Sequence, residues 1–254
     1  MKTYTYSFHY KGKVYNTDKT EKLMEIYDEL FNEYKNKKIS LLELGVRNGG
    51  SILLWNDYFN KCNIAGLDLN KFEFTKDYPN IKAYKGSQTD LELLDKIRQE
   101  TAPNGFDIII DDCSHIGELT KKSFWHLFDN HLLKGGFYVI EDWGTGYWGK
   151  WPDGHKLKTI EKKNKKSAID KFLNFLLKIS ASQKILKSTN WISHYLRVKK
   201  IKSHNYGMVG FIKELLDECG IEDITHPEFG IGIPRNSKFE SIRIYPQIVF
   251  IKKN

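Results

Sequence analysis

A central, mostly parallel α/β sheet of Rossmann-like type is the fold class this sequence predicts, and three observations predict it. The runs Ile39 to Gly45 and Phe106 to Asp111 are continuously apolar rather than alternating, as strands covered on both faces are. Stretches of helical periodicity, such as Asp90 to Arg98 and Leu119 to Phe128, separate them from further strand-like runs at Asn63 to Leu69, Asn80 to Tyr84 and Gly136 to Glu141. Glycines and acids gather at the ends of these runs, where ligands of open α/β sheets bind.

Ahead of the series, Lys19 to Tyr34 reads as an amphipathic helix with Thr17 and Asp18 as capping candidates. After it, Trp143 to Gly154 is rich in Gly and Trp. Ser167 to Ile179 is apolar-periodic, and an irregular basic stretch runs on to Ser203. Met208 to Cys219 reads as a helix, and Ser241 to Tyr245 and Gln247 to Ile251, broken by Pro246, as a C-terminal antiparallel hairpin at the sheet edge. The expected division is an N-terminal helical lid at 1–38, a ligand-binding α/β core at 39–149, a basic helical cap insertion at 150–206, and a helix with edge strands at 207–254.

The length of 254 residues and 40% hydrophobic content suit one α/β domain with an insertion. No apolar run approaches the ~20 residues of a membrane span, and residues 1–13 lack an apolar leader region. Cys62, Cys113 and Cys219 form no CxxC pair and no disulfide framework, so a cytoplasmic location is expected. Residues 1–150 carry 20 Lys+Arg against 22 Asp+Glu (net −2), whereas 151–254 carry 20 against 10 (net +10). Such a basic half attracts phosphate, in RNA, a headgroup or a nucleotide-activated substrate. Runs such as Glu161 to Lys166 read equally well as a solvated helix face.

The first strand ends in Glu43-Leu-Gly45-Val-Arg47-Asn-Gly49-Gly50-Ser51, a turn whose glycines let the backbone approach a ligand. A dinucleotide turn would place glycine where Arg47 stands, and S-adenosylmethionine fits better. Glu43 then offers a carboxylate near the sulfonium and amino group, while the turn through Gly45, Arg47, Gly49 and Ser51 packs on the methionyl tail and ribose. Asp68 ends the second strand, where a carboxylate can accept both ribose hydroxyls. Gln88, in Gly86-Ser-Gln-Thr-Asp90, stands where an adenine edge needs partners, and Asp111 closes the fourth strand beside them.

The fourth strand ends in Asp111-Asp-Cys-Ser-His115 and the fifth in Glu141-Asp142, so acids and one imidazole converge on one sheet edge. Close carboxylates repel without a counter-ion. A hard divalent cation such as Mg²⁺, with Asp112, Glu141 and Asp142 as ligands, resolves that cost. The ion would acidify a hydroxyl, and His115 could remove its proton as general base. The competing reading makes Ser114 and His115 the cap and first turn of the next helix.

These residues resemble the metal-dependent sugar O-methyltransferases of macrolide biosynthesis, the mycinamicin type, and the wider cephalosporin hydroxylase-like group, with capsular heptose O-methyltransferases a related set. The signposts are Asn16-Thr-Asp-Lys19, Leu42 to Ser51, Gly66-Leu-Asp68, Asp111 to His115, Tyr138 to Asp142 and Tyr147-Trp148. The resemblance covers about Tyr15 to Trp148. It implies a class I S-adenosylmethionine-dependent methyltransferase fold, Mg²⁺ at Asp112, Glu141 and Asp142, His115 as base, and donor contacts from Glu43, Asp68 and Gln88. The sequence departs from the pattern at Cys113, where the family usually has glycine. The expected acceptor is a sugar hydroxyl, on a nucleotide-activated sugar of capsule or natural-product biosynthesis, met by Trp143, Tyr147, Trp148 and His155. An RNA methyltransferase competes, since Tyr147, Trp148 and Trp151 could stack bases, but a metal at the acceptor argues against nucleic acid. A non-catalytic adenosyl-ligand sensor is the third reading. Self-association into a homo-oligomer is left open.

Overall fold

A computed structural model of the chain describes residues 6–70, 78–164 and 202–254. The order is β1 (Phe8–Tyr10), β2 (Lys13–Tyr15), α1 (Glu21–Phe31), β3 (Lys38–Leu44), α2 (Gly50–Tyr58), β4 (Lys61–Asp68), β5 (Ile81–Lys85) and α3 (Leu91–Thr101). It continues with β6 (Phe106–Asp111), α4 (Gly117–Asn130), β7 (Leu132–Glu141), α5 (Pro152–Asn164), α6 (Gly207–Cys219), the short α7 (Ile221–Ile224), β8 (Phe239–Ile244) and β9 (Ile248–Lys253). The apolar helix read at Ser167 to Ile179 and the basic stretch after it lie outside the described residues, apart from Lys202 and Ser203.

Seven strands form one sheet in the order β5-β4-β3-β6-β7-β9-β8. The first five are mutually parallel, and β9 runs antiparallel to both β7 and β8, which is the expected hairpin. The continuous apolar runs are explained by two separate cores. On one face Leu41, Ile64, Ile108, Val139 and Phe250 pack with α1 and α2; on the other Leu42, Leu44, Ala65, Ile109, Ile140 and Val249 pack with α3, α4 and α6. Successive strand residues point to opposite faces, so a strand covered twice must be apolar at every position.

The register brings the strand ends together. Glu43 pairs with Gly66 and with Ile110, and Leu44 pairs with Asp111, so β3, β4 and β6 finish level on one edge. The order reverses beside β3, the topological switch point where such sheets bind ligands.

The N-terminus differs from the helical lid expected at 1–38. Phe8–Tyr10 and Lys13–Tyr15 form a hairpin whose turn residues, Lys11 and Gly12, have φ of 47° and 76°. Positive φ at both central positions is what a two-residue hairpin turn requires. The cap of α1 is Thr20, which accepts from the Leu23 amide at 3.2 Å, and not Thr17 or Asp18. Residues 16–19 instead cross the start of α2: a Cβ on Gly50 would lie 2.0 Å from the Asn16 carbonyl oxygen.

Candidate active site

Two loops build the site at the sheet edge. The first follows β3, where Gly45 has φ +85° and a Cβ there would lie 2.1 Å from the Asp112 carbonyl oxygen. Only glycine lets the loop after β6 lie against this turn. Beside it opens a cavity of about 330 Å³ lined by Gly45, Arg47, Asp68, Gln88, Cys113 and His115, among others. Its size lies within the ordinary range of small-molecule sites.

Asp68 lines the cavity, and its carboxylate accepts from the backbone amides of Val46 at 3.1 Å, Arg47 at 2.8 Å and Asn70 at 2.8 Å. It therefore fixes the turn as well as facing the cavity. Gln88 bridges: its amide nitrogen donates to Ser123 Oγ at 3.1 Å, and its carbonyl accepts from the Ser114 amide at 3.2 Å. Asp111 sits behind it, 2% exposed, accepting from the Tyr138 hydroxyl at 3.0 Å, and burial pushes its carboxyl up to about 6. Glu43 is fully buried and accepts from Ser51 Oγ at 2.8 Å and Trp55 Nε1 at 3.2 Å. Glu43, Gly49, Ser51 and Asp111 thus support the cavity without lining it. Burial drives the Glu43 carboxyl up to about 8 against the pull of Lys19.

The second loop carries the acids and the imidazole. Side-chain ligand atoms of Asp112, His115 and Asp142 lie within 4.8 Å of one another. His115 Nε2 is 3.6 Å from Asp112 Oδ1 and 4.0 Å from Asp142 Oδ2. Helix α4 begins only at Gly117, so His115 is not in its first turn, and Ile116 rather than Ser114 is the cap residue. Arg47, His115 and Asp142 have φ of 54°, 49° and 50°. Non-glycine residues in this conformation carry local strain and concentrate at functional sites.

Glu141 stands apart from that group. Its Oε1 accepts from Lys19 Nζ at 2.6 Å and from the Tyr27 hydroxyl at 2.6 Å. Lys19 Nζ also reaches Asp112 Oδ2 at 2.7 Å, with its side chain 1% exposed. Burial alone would pull the Lys19 ammonium down, but Asp112, Glu141 and Glu43 hold it well above its ordinary value. Burial raises the carboxyls of Asp112, Glu141 and Asp142. One buried cation serves three ionisable acids here, which leaves net charge for a divalent ion to balance when all three are ionised. The oxygen-rich donor set suits a hard cation.

Lys19 and Tyr27 were missed as site residues by sequence reasoning, although Lys19 ends the Asn16-Thr-Asp-Lys19 signpost. Thr145 and Trp151 support the His115 loop: Thr145 Oγ1 donates to the His115 carbonyl at 2.9 Å and Trp151 Nε1 to the Ser114 carbonyl at 3.3 Å. None of the residues expected to meet the acceptor lines the cavity. Trp143 is held by the Tyr245 carbonyl at 2.8 Å, Tyr147 packs on His204, and Trp148 and His155 are exposed.

The sheet order, the reversed final hairpin and the glycine turn beneath a cavity define the class I methyltransferase fold. Solved structures agree: the MycE methyltransferase of the mycinamycin pathway, in complex with Mg, SAH and mycinamycin VI, matches with a TM-score of 0.59 and 26% identity, over 91% of this chain and 48% of that one. Mycinamicin VI 2''-O-methyltransferase of Micromonospora griseorubida is 40% identical over 129 residues, 48% of this chain and 31% of its own length. Demethylmacrocin O-methyltransferase of Streptomyces fradiae is 38% identical over 129 residues, 48% of this chain and 32% of its own. The resemblance to macrolide sugar O-methyltransferases is therefore carried by homologues, and the chain spans about a third of the length of these curated relatives. No family model matches the chain. Among the described residues no helix is long and apolar enough to cross a membrane.

Proposed function

We propose that this chain transfers a methyl group from S-adenosylmethionine to a sugar hydroxyl, with a divalent metal ion, Mg²⁺ being the natural choice. The observation that carries the reading is the meeting of Asp112, His115 and Asp142 beside the cavity lined by Gly45, Asp68 and Gln88. The cavity takes the donor, with Asp68 facing the ribose and Gln88 the adenine. Asp112 and Asp142 hold the ion, and Glu141 acts on the same centre through Lys19. When bound, the ion supplies positive charge that acidifies a nearby hydroxyl. His115 takes the hydroxyl proton on Nε2, and the Thr145 and Trp151 contacts fix its loop for that task.

Relatives whose names print a glycosyl acceptor, an L-olivosyl-oleandolide 3-O-methyltransferase and an α-L-rhamnosyl tetracenomycin-C 2'-O-methyltransferase, support a glycosidic sugar acceptor. The basic C-terminal half favours an acceptor that carries phosphate, such as a nucleotide-linked sugar of surface-polysaccharide or natural-product synthesis. The test is methyl transfer from labelled donor to a panel of free, glycosidic and nucleotide-linked sugars and RNA, with and without EDTA. Transfer to a sugar hydroxyl that stops on chelation is expected. Donor binding without metal-dependent transfer to any sugar would overturn the reading, and transfer to RNA alone would replace it.

A further inference from the structure

We propose that Asp95, His126 and His131 form a second metal site, for a late first-row divalent ion of the Zn²⁺ type, which clips α3 to the end of α4. Asp95 lies in α3, His126 in the last turns of α4, and His131 directly after α4. Both imidazole Nε2 atoms converge on one oxygen, Asp95 Oδ1, each at 2.6 Å. The two Nε2 atoms are 3.2 Å apart. Three donor atoms bound at about 2.0 to 2.1 Å on a tetrahedral ion stand about 3.3 Å from one another. The two nitrogens are already at about that spacing, and Asp95, 45% exposed, can open by the remaining ~0.7 Å. Its exposed side leaves the fourth position to water.

Without an ion, two N–H groups crowd one carboxylate oxygen. His131 is 6% exposed and its Nδ1 is buried without a hydrogen-bond partner, so Nε2 is the ring atom committed to an interaction. Burial lowers the His131 imidazole against the pull of Asp95. The other charge nearby, Arg98, turns its guanidinium to the Pro103 carbonyl. Two imidazoles and one carboxylate suit zinc-like ions rather than Mg²⁺. The site is separate from the candidate active site, because α4 begins at that site and its 14 residues carry the chain about 20 Å away.

The test titrates Zn²⁺ into the full chain after chelation and dialysis, and follows the histidine ring nitrogens individually by ¹⁵N NMR, since Asp112, His115 and Asp142 can also take Zn²⁺. One equivalent should move the Nε2 signals of His126 and His131 together, and excess Mg²⁺ should not reverse it. His126→Gln should weaken this event at least tenfold. Asp95→Asn keeps an acceptor for the two N–H groups, so a plain hydrogen-bonded clip would survive it, whereas the zinc shift should be lost. Signals of His126 and His131 that stay still while those of His115 move, or a shift unaltered in Asp95→Asn, would overturn the site.

Discussion

Lys19 shows how much one buried charge decides. Its ammonium joins Asp112 to Glu141, and no water reaches it to replace that pairing. Removing one member of a buried ion pair leaves its partners unpaired, at a cost on the order of 3 to 5 kcal/mol. Lys19→Met should lose about that much in denaturant unfolding at neutral pH, and near-native stability would show that the acids are not held by this cation. Glu43 behaves oppositely. Its carboxyl rises from the ordinary 4.5 to about 8 in the folded protein, so the unfolded chain ionises first as pH increases. The folded state therefore loses stability between about pH 4.5 and 8, by on the order of 5 kcal/mol. Glu43→Gln, whose amide can still accept from Trp55 and donate to Ser51, should remove most of that loss. Unfolding at pH 5 and pH 9 checks it, and equal pH dependence in both proteins would refute it. Gly45, Asp68, Asp112, His115 and Asp142 of the candidate site were legible in the sequence because acids and glycines fall at strand ends, whereas Lys19 and Tyr27, away from any strand end, were not. That Glu43 faces inward was not, since alternation along a strand buried on both faces gives no sign of which side is the ligand's.

Elements with one continuous signature were read well. β6 has the predicted bounds because Phe106 to Asp111 is apolar until its terminal acid. β7 begins four residues earlier than expected, because Gly135-Gly136 reads as a break while the backbone continues through it. α5 falls in the stretch expected as a basic helical cap, and Pro152 at its first position is the helix-start signal that marks where it begins. The following residue, Asp153, is buried and accepts from the Gly117 amide at 2.9 Å and the Met208 amide at 2.8 Å, the first turns of α4 and α6. A carboxylate at two helix N-termini satisfies amides that no helix can pair itself and opposes both dipoles. Asp153→Ala should strand both amides and cost about 2 to 4 kcal/mol. Asp153→Asn should cost less. Hydrogen exchange at Gly117 and Met208 should accelerate in the alanine variant, and unchanged protection would exclude the staple.

At the scale of the molecule, a mostly parallel sheet with its strand ends on one edge was legible from local strand and helix signals, but the strand order, with β6 joined to β3 across the switch point, is a long-range fact that no local pattern encodes. Charge is distributed unevenly: net −2 over residues 1–150, where the cavity and the acids lie, against net +10 over 151–254. A phosphate-bearing acceptor would be drawn to the basic half, and exposed charges are screened beyond about 8 Å at physiological salt. For a nucleotide-linked sugar, KM for the acceptor should therefore rise several-fold between about 50 and about 200 mM salt. KM for S-adenosylmethionine should change little, because the contacts proposed for it, Asp68 and Gln88, line the cavity itself. Initial-rate measurements across that salt series separate the two. An acceptor KM as flat as the donor's would remove the diphosphate from the proposal and leave an uncharged glycoside as the substrate.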